Sequence, residues 1–325
     1  MYKFSLLVLI VFNNFLSILS SNGDRSIIYQ NCLRNCIFDN CTDVDDKFKS
    51  NQVIQDVWSK IFMWSCSDEC KYQCMWQTVD AFQERLGIVP KFYGKWPFVR
   101  VLGAQEPASA FASILNLATN VYMYSKMRML FPVRSTPLVL FWHVFAIICM
   151  NAWIWSMIFH IKDTPFTEFM DYVCALSMVG ALFVAAVVRV FYGRRNLTLL
   201  TLAYPLFYFA NHVTYLYTGR VDYDFNMKVN IFYGVTGSLI WLTWACYHFI
   251  RGAGYMWRLV AFTTLSGVTL ALEVFDFPPL GDVWDAHAIW HLSTAPLPLL
   301  FYKFVIDDLT RIRLIQYEKL PMKSS

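Results

Sequence analysis

Long apolar blocks separated by short polar connections fill most of the chain. They fall at about 107–125, 137–159, 169–189, 197–217, 229–249, 257–275 and 286–306. Each approaches the ~20 residues that a helix needs to cross the hydrocarbon of a bilayer. The pattern therefore predicts an all-α membrane protein, a seven-transmembrane-helix bundle. The fourth block is the least sharply bounded, with Pro205, Asn211 and His212 inside it. A shorter apolar run from Phe4 to about Leu19 follows Met1-Tyr2-Lys3 and leads into Ser20-Ser21-Asn22. One positive residue, a short hydrophobic region and small residues at its exit read as a signal peptide over 1–21. A retained signal anchor is the rival; either way the following segment is translocated. The organisation that results is a luminal head over 22–100, the bundle over 101–306 and a cytosolic tail over 307–325.

Composition agrees with the pattern. Of 325 residues 57% are hydrophobic and 15% charged, against about 25% charged in soluble domains. A formal charge of +4 with no long basic run excludes nucleic acid as a partner. The placement of charge is more informative than its sum. Lys126, Arg128 and Arg134, then Arg189, Arg194 and Arg195, then Arg251 and Arg258 alternate with connections that hold Lys162, Arg220 and Lys228 offset by Asp163, Glu168, Asp222 and Asp224. The last connection of the second set is purely acidic (Glu273, Asp276, Asp282, Asp285), and the tail is basic (Arg311, Arg313, Lys319, Lys323). By the positive-inside bias the amino terminus is luminal and the carboxyl terminus cytosolic. Six spans would put one of these groups on the wrong side.

Cys32, Cys36, Cys41, Cys66, Cys70 and Cys74 crowd the polar head, while Cys149, Cys174 and Cys246 sit singly in apolar blocks. Six cysteines in a small translocated head read as up to three disulfides of undetermined pairing. The alternative is a zinc site, because Cys66, Cys70 and Cys74 share one helical face. Asn40-Cys41-Thr42 is a glycosylation sequon if the head is luminal.

Polar residues inside the blocks carry the candidate chemistry. Ser156 and His160 lie four apart at the end of the second block. Asp171 opens the third, and His287 and His291 lie four apart at the start of the seventh. The charge-derived topology brings all five to luminal helix ends at similar depth. Ionisable groups at membrane depth are costly and mark functional sites. Three imidazoles are a suitable ligand set for zinc, with a fourth position for water. Asp171 can take or orient the proton of that water. Ser156 can donate to the carbonyl or oxyanion rather than act as nucleophile. Glu106, at the start of the first block, can orient a ligand histidine or serve as a helix-end residue. Asn151 reads as a hydrogen-bonding residue between helices. His143, His212 and His248 read as ordinary packing or interfacial residues.

Several stretches look familiar: Cys70-Lys71-Tyr72-Gln73-Cys74-Met75-Trp76, Gly94-Lys95-Trp96-Pro97-Phe98, Gln105-Glu106-Pro107-Ala108-Ser109, Asn151-Ala152-Trp153, Met170-Asp171-Tyr172, Asp276-Phe277-Pro278-Pro279 and, most specifically, Asp285-Ala286-His287-Ala288-Ile289-Trp290-His291. Through these the chain resembles, over nearly its whole length, the PER-like family of GPI-anchor lipid-remodelling factors. That family is similar to a wider group of seven-span metal hydrolases that includes the alkaline ceramidases and adiponectin receptors. The resemblance implies that His160, His287 and His291 hold zinc while Ser156 and Asp171 assist catalysis. It implies phospholipase A2-type removal of the sn-2 fatty acid from GPI-anchored proteins, in the Golgi membrane or the endoplasmic reticulum. A ceramidase-like amide hydrolase would use the same five residues. A lipid receptor or remodelling scaffold without catalysis is the third reading.

Overall fold

The computed structural model describes residues 23–49, 55–219 and 222–318. The expected signal peptide, Arg220, Lys319, Lys323 and the side chain of Glu273 lie outside the described residues. The chain divides into two compact units. One comprises the residues up to Gln105 together with Phe277–Asp285, the other Glu106–Asp276 with the residues from Ala286 onward.

The first unit is built on three helices, α1 (Ile27–Asn40), α2 (Val57–Ile61) and α3 (Cys66–Leu86). Local sequence sets their ends. Ser26 caps α1 and Asp56 caps α2. Ser65 and Asp68 form a capping box at α3, and Gly87 closes it in the left-handed conformation, where a missing Cβ removes the steric cost. The cysteines at Cys32, Cys36 and Cys41 meet those of α3 in three disulfides, Cys32 with Cys74, Cys36 with Cys70 and Cys41 with Cys66. No thiolate of this group is left for zinc. Beside the ladder, Arg100 lies between the rings of Trp64 and Tyr72, 3.7 and 4.4 Å from their centroids, and pairs with Glu69 at 3.2 Å. A turn packs below it: a Cβ on Gly103 would stand 2.8 Å from the Phe62 ring, so glycine is required for that close approach.

The second unit is a helical bundle: α4 (Pro107–Leu130), α5 (Val139–Ile161), α6 (Pro165–Val190), α7 (Arg195–Thr218), α8 (Tyr223–Ile250), α9 (Trp257–Val274), α10 (Ala286–Thr294) and α11 (Leu297–Glu318). Together these make an all-α, multi-pass membrane protein with an amino-terminal disulfide-rich region. Seven spans are expected from the apolar blocks, yet among the described residues five stretches are long and apolar enough to cross by length and composition. They are Val139–Ile161, Pro165–Val190, Tyr223–Ile250, Gly254–Leu272 and Ala286–Glu318. The two helices that fall short, α4 and α7, do so because of their polar content. Ser109, Ser113, Asn116 and Asn120 dilute α4, and Pro205, Asn211 and His212 interrupt α7. The last block is also not one helix. It breaks at Ala295 and Pro296 into the short α10 and the long α11, because proline has no N–H to continue the ladder. The second part runs to Glu318, beyond the 306 at which the block ends.

The core gathers Trp142 and Phe145 of α5, Trp241 of α8, and Phe301 and Phe304 of α11. Gly237 lets α8 approach α6 until a Cβ there would lie 3.1 Å from Phe183 Cα. At the far end of α6, Arg189 donates two hydrogen bonds to the fully buried Asp308, at 2.5 and 2.7 Å, and Tyr255 Oη donates a third at 3.0 Å. Asp307 pairs with Arg258. Bidentate geometry suits a charge that must be held without water.

Two outcomes follow for stability. Replacing both Cys36 and Cys70 by Ser removes the middle link of three, and Cys41–Cys66 and Cys32–Cys74 still close the chain on either side of it. The loop that opens is only about ten residues, so it should cost about 2–3 kcal/mol by loop entropy, seen as earlier proteolysis of the head along a denaturant series of the full-length protein. Asp308→Ala leaves Arg189 without its partner. The loss should be about 3 kcal/mol, at the low end for a broken buried pair, because Arg189 keeps some exposure. Thermal unfolding in detergent measures it.

Candidate metal centre

The centre is assembled by three helices of the second unit. Ser156 and His160 end α5, one helical turn apart on its inner face, and both are buried. His287 and His291 are likewise one turn apart on α10. The break after Thr294 keeps α10 a separate nine-residue piece whose position is set by its neighbours. The principal neighbour is α4. Its residues Glu106, Ser109, Ser113, Asn116 and Asn120 recur at spacings of three and four, which places them in one stripe, and all five are buried.

That stripe makes the bonds. Asn116 Nδ2 donates to the backbone oxygen of His291 at 2.7 Å, and Asn116 Oδ1 accepts from Thr294 Oγ1 at 3.3 Å. Ser113 Oγ donates to Ser109 O at 2.8 Å and lies 3.1 Å from both Ser156 Oγ and His291 Nδ1. Glu106 sits at the N-cap of α4 but makes no side-chain cap. Its carboxylate is turned to His160 Nδ1 at 2.7 Å, and its backbone N–H donates to His160 O at 2.9 Å.

One ring nitrogen each from His160, His287 and His291 falls in a set whose members all lie within 4.8 Å of one another. The ring centroids are 5.2 Å apart for His160 and His287, 5.1 Å for His160 and His291 and 4.4 Å for His287 and His291. Phe159, Trp153 and Trp290 wall the cluster at centroid distances of 5.2, 5.3 and 4.9 Å from His160, His291 and His291 respectively. His160 Nε2 is buried and has no hydrogen-bond partner among the described residues. A buried acceptor left unbonded costs on the order of 1–3 kcal/mol, and a cation relieves that cost. Three imidazoles, one backed by a carboxylate, fit the donor chemistry of zinc. The residues present therefore form a candidate metal site.

Of the five residues singled out from sequence, the three histidines gather directly and Ser156 joins them through Ser113. Asp171 lies in the second turn of α6, half-buried. Its neighbour Tyr172 packs edge-on against Phe159, with centroids 6.1 Å apart, which sets Asp171 level with the His160 end of α5. Asn151 Nδ2 contacts Cys174 Sγ at 3.1 Å, joining α5 to α6. The remaining histidines are elsewhere: His143 bonds to Phe131 O, His212 to Asn226 Oδ1, and His248 packs on Trp244. Ser113 and Asn116 were not legible as site residues. Their signal was the three-four spacing of polar groups within an otherwise apolar block.

A family model described as the Per1-like family matches residues 56–309. Among curated relatives, a post-GPI attachment to proteins factor 3 of Drosophila melanogaster is 43% identical over 296 residues, covering 88% of this chain and 89% of the relative. A GPI-specific phospholipase A2-like PGAP3 of Xenopus tropicalis is 38% identical over 94% of this chain and 95% of its own. The Homo sapiens protein of the same description is 39% identical over 89% of each. No solved structure matches.

Removing the amide that holds α10 tests this architecture. Asn116→Ala strips His291 O and Thr294 Oγ1 of a buried partner and should destabilise the bundle by about 1–3 kcal/mol. The check is a lower thermal midpoint in detergent.

Proposed function

The chain belongs to the Per1-like family, and from that premise we propose that it is a GPI-specific phospholipase A2, releasing the sn-2 acyl chain from the lipid of GPI-anchored proteins at the histidine centre. The observation that carries the reading is the gathering of three histidines within 4.8 Å, with an unbonded imidazole nitrogen among them. His160, His287 and His291 would hold the metal, with zinc as the ion that best fits this donor set. Zinc bound there would polarise the ester carbonyl and acidify a bound water.

The protein's own groups supply the rest. Asp171, level with His160, serves as the base that takes or orients a proton from the attacking water. Ser156 offers its hydroxyl to the carbonyl oxygen once substrate displaces its bond to Ser113. The aromatic walls around His160 and His291 keep bulk water from the metal ligands and give the lipid an apolar approach.

Depth supports an ester substrate. His160 ends α5, Asp171 opens α6 and His287 opens α10, so the centre lies at the headgroup boundary, where an ester sits and water can reach it. The basic residues flank the opposite helix ends (Arg189, Arg194, Arg195, Arg251, Arg258), which faces the centre toward the lumen. In this reading α4 and α7 also cross, giving seven spans, and the fold joins the seven-span metal hydrolases. The protein then works in Golgi or endoplasmic reticulum membranes, where the lipid of a GPI anchor occupies the luminal leaflet.

The test compares purified full-length wild type with Asp171→Asn, reading bound metal and sn-2 release from a GPI-anchored substrate in the same samples. Zinc should be present in both, with release by the variant lower by ~10²-fold or more. Full release by Asp171→Asn would remove the aspartate from the chemistry. A folded wild type that binds metal but cleaves only ceramide would make the protein an amide hydrolase, and one that cleaves neither would favour a scaffold.

A further inference from the structure

The hydrogen atoms around the centre can be counted. A serine hydroxyl has one hydrogen and two lone pairs. The hydrogen of Ser113 goes to Ser109 O, at 2.8 Å, because a carbonyl can only accept. The two neighbours at 3.1 Å, Ser156 Oγ and His291 Nδ1, must then both donate to Ser113. His291 therefore carries its proton on Nδ1. The same count applies at His160. An ionised carboxylate accepts only, so the contact of 2.7 Å between Glu106 Oε2 and His160 Nδ1 puts the proton of His160 on Nδ1 too. In a neutral imidazole the other nitrogen is then a bare lone pair. For His160 that nitrogen is the buried Nε2 with no hydrogen-bond partner.

We infer that Glu106 and Ser113, seven residues apart on one face of α4, are positioning residues that fix the Nδ1–H tautomer of His160 and His291, so that both present Nε2 to a metal. The inference rests on the metal reading above. It adds that α4, which supplies no ligand of its own, decides which nitrogen two of the three ligands offer. Spacing makes this possible: two turns of helix rise about 10 Å, enough to serve one histidine at the end of α5 and another on α10. It also explains why Glu106 leaves the N-terminus of α4 uncapped, since the carboxylate is used on His160 instead. Without the acceptor at Nδ1, an imidazole can place its proton on Nε2 and turn its lone pair away. Partners of this kind are typically worth 10–100-fold in metal affinity.

The experiment measures zinc affinity of the full-length protein in detergent by competition with a chromophoric chelator, and the visible absorption of the Co²⁺-loaded form. The variants are Glu106→Ala, Glu106→Gln, Ser113→Ala, Asp308→Ala and His291→Ala, each checked for its thermal midpoint. Glu106→Ala and Ser113→Ala should weaken zinc by roughly 10–100-fold and alter the Co²⁺ spectrum. Glu106→Gln, which keeps an acceptor oxygen, should lose less. Asp308→Ala breaks the ion pair with Arg189 at the opposite end of the bundle and serves as the structural control: stability falls while affinity stays within about threefold of wild type. If Glu106→Ala does not fold, Ser113→Ala, which deletes one oxygen atom, decides alone. Wild-type affinity in both Glu106→Ala and Ser113→Ala, with zinc lost in His291→Ala, would overturn the tautomer inference and leave the metal reading standing. Zinc binding unchanged in His291→Ala would overturn the metal reading and this inference with it.

Discussion

An apolar bundle must bond every polar group it buries, and the polar stripe of α4 is how this protein meets that demand. Glu106, Ser109, Ser113, Asn116 and Asn120 have no water to satisfy them, so they bond to their own helix, to α5 and to α10. Those bonds settle where a nine-residue helix lies that is too short to be stable alone. The histidines come together because the stripe has nowhere else to bond. The same polar content leaves α4 short of the apolarity expected of a membrane span. Its polarity is spent inward.

The two ends of the bundle use different chemistry. At one end neutral and single-charge groups converge on histidines. At the other, Arg189 and Tyr255 converge on Asp308 beside the pairing of Arg258 with Asp307. There a buried carboxylate is met by its partners, whereas the first end leaves His160 Nε2 without one among the described residues. That contrast separates a structural ion pair from a place prepared to take a ligand.

Much of this was legible in sequence. The apolar blocks fall where the helices of the bundle lie, and the i,i+4 spacing of Ser156 with His160 and of His287 with His291 puts each pair on one face. The six clustered cysteines of the head announced disulfides. Legibility failed where the deciding contact is distant along the chain. Ser113 and His291 are separated by 178 residues, and nothing local to Ser113 distinguishes it from other small polar residues of membrane helices. The break at Pro296 was visible as a residue, but a proline inside an apolar run marks either a kink or an end. Packing of α10 against α4 decides for an end. Disulfide pairing was open because six cysteines allow 15 pairings, and only the packing of α1 against α3 selects one.

The pairing selected is nested: Cys41 with Cys66 lies innermost, Cys36 with Cys70 next, and Cys32 with Cys74 outermost, at separations of 25, 34 and 42. Nested links never thread one another, so no order of closure traps the chain in a knot. Closing the inner link also brings the next two cysteines opposite each other at one helical turn, and that pair does the same for the last. Each bond thus becomes the template for its successor. Oxidation can then proceed outward like a zip from a single correct first joining.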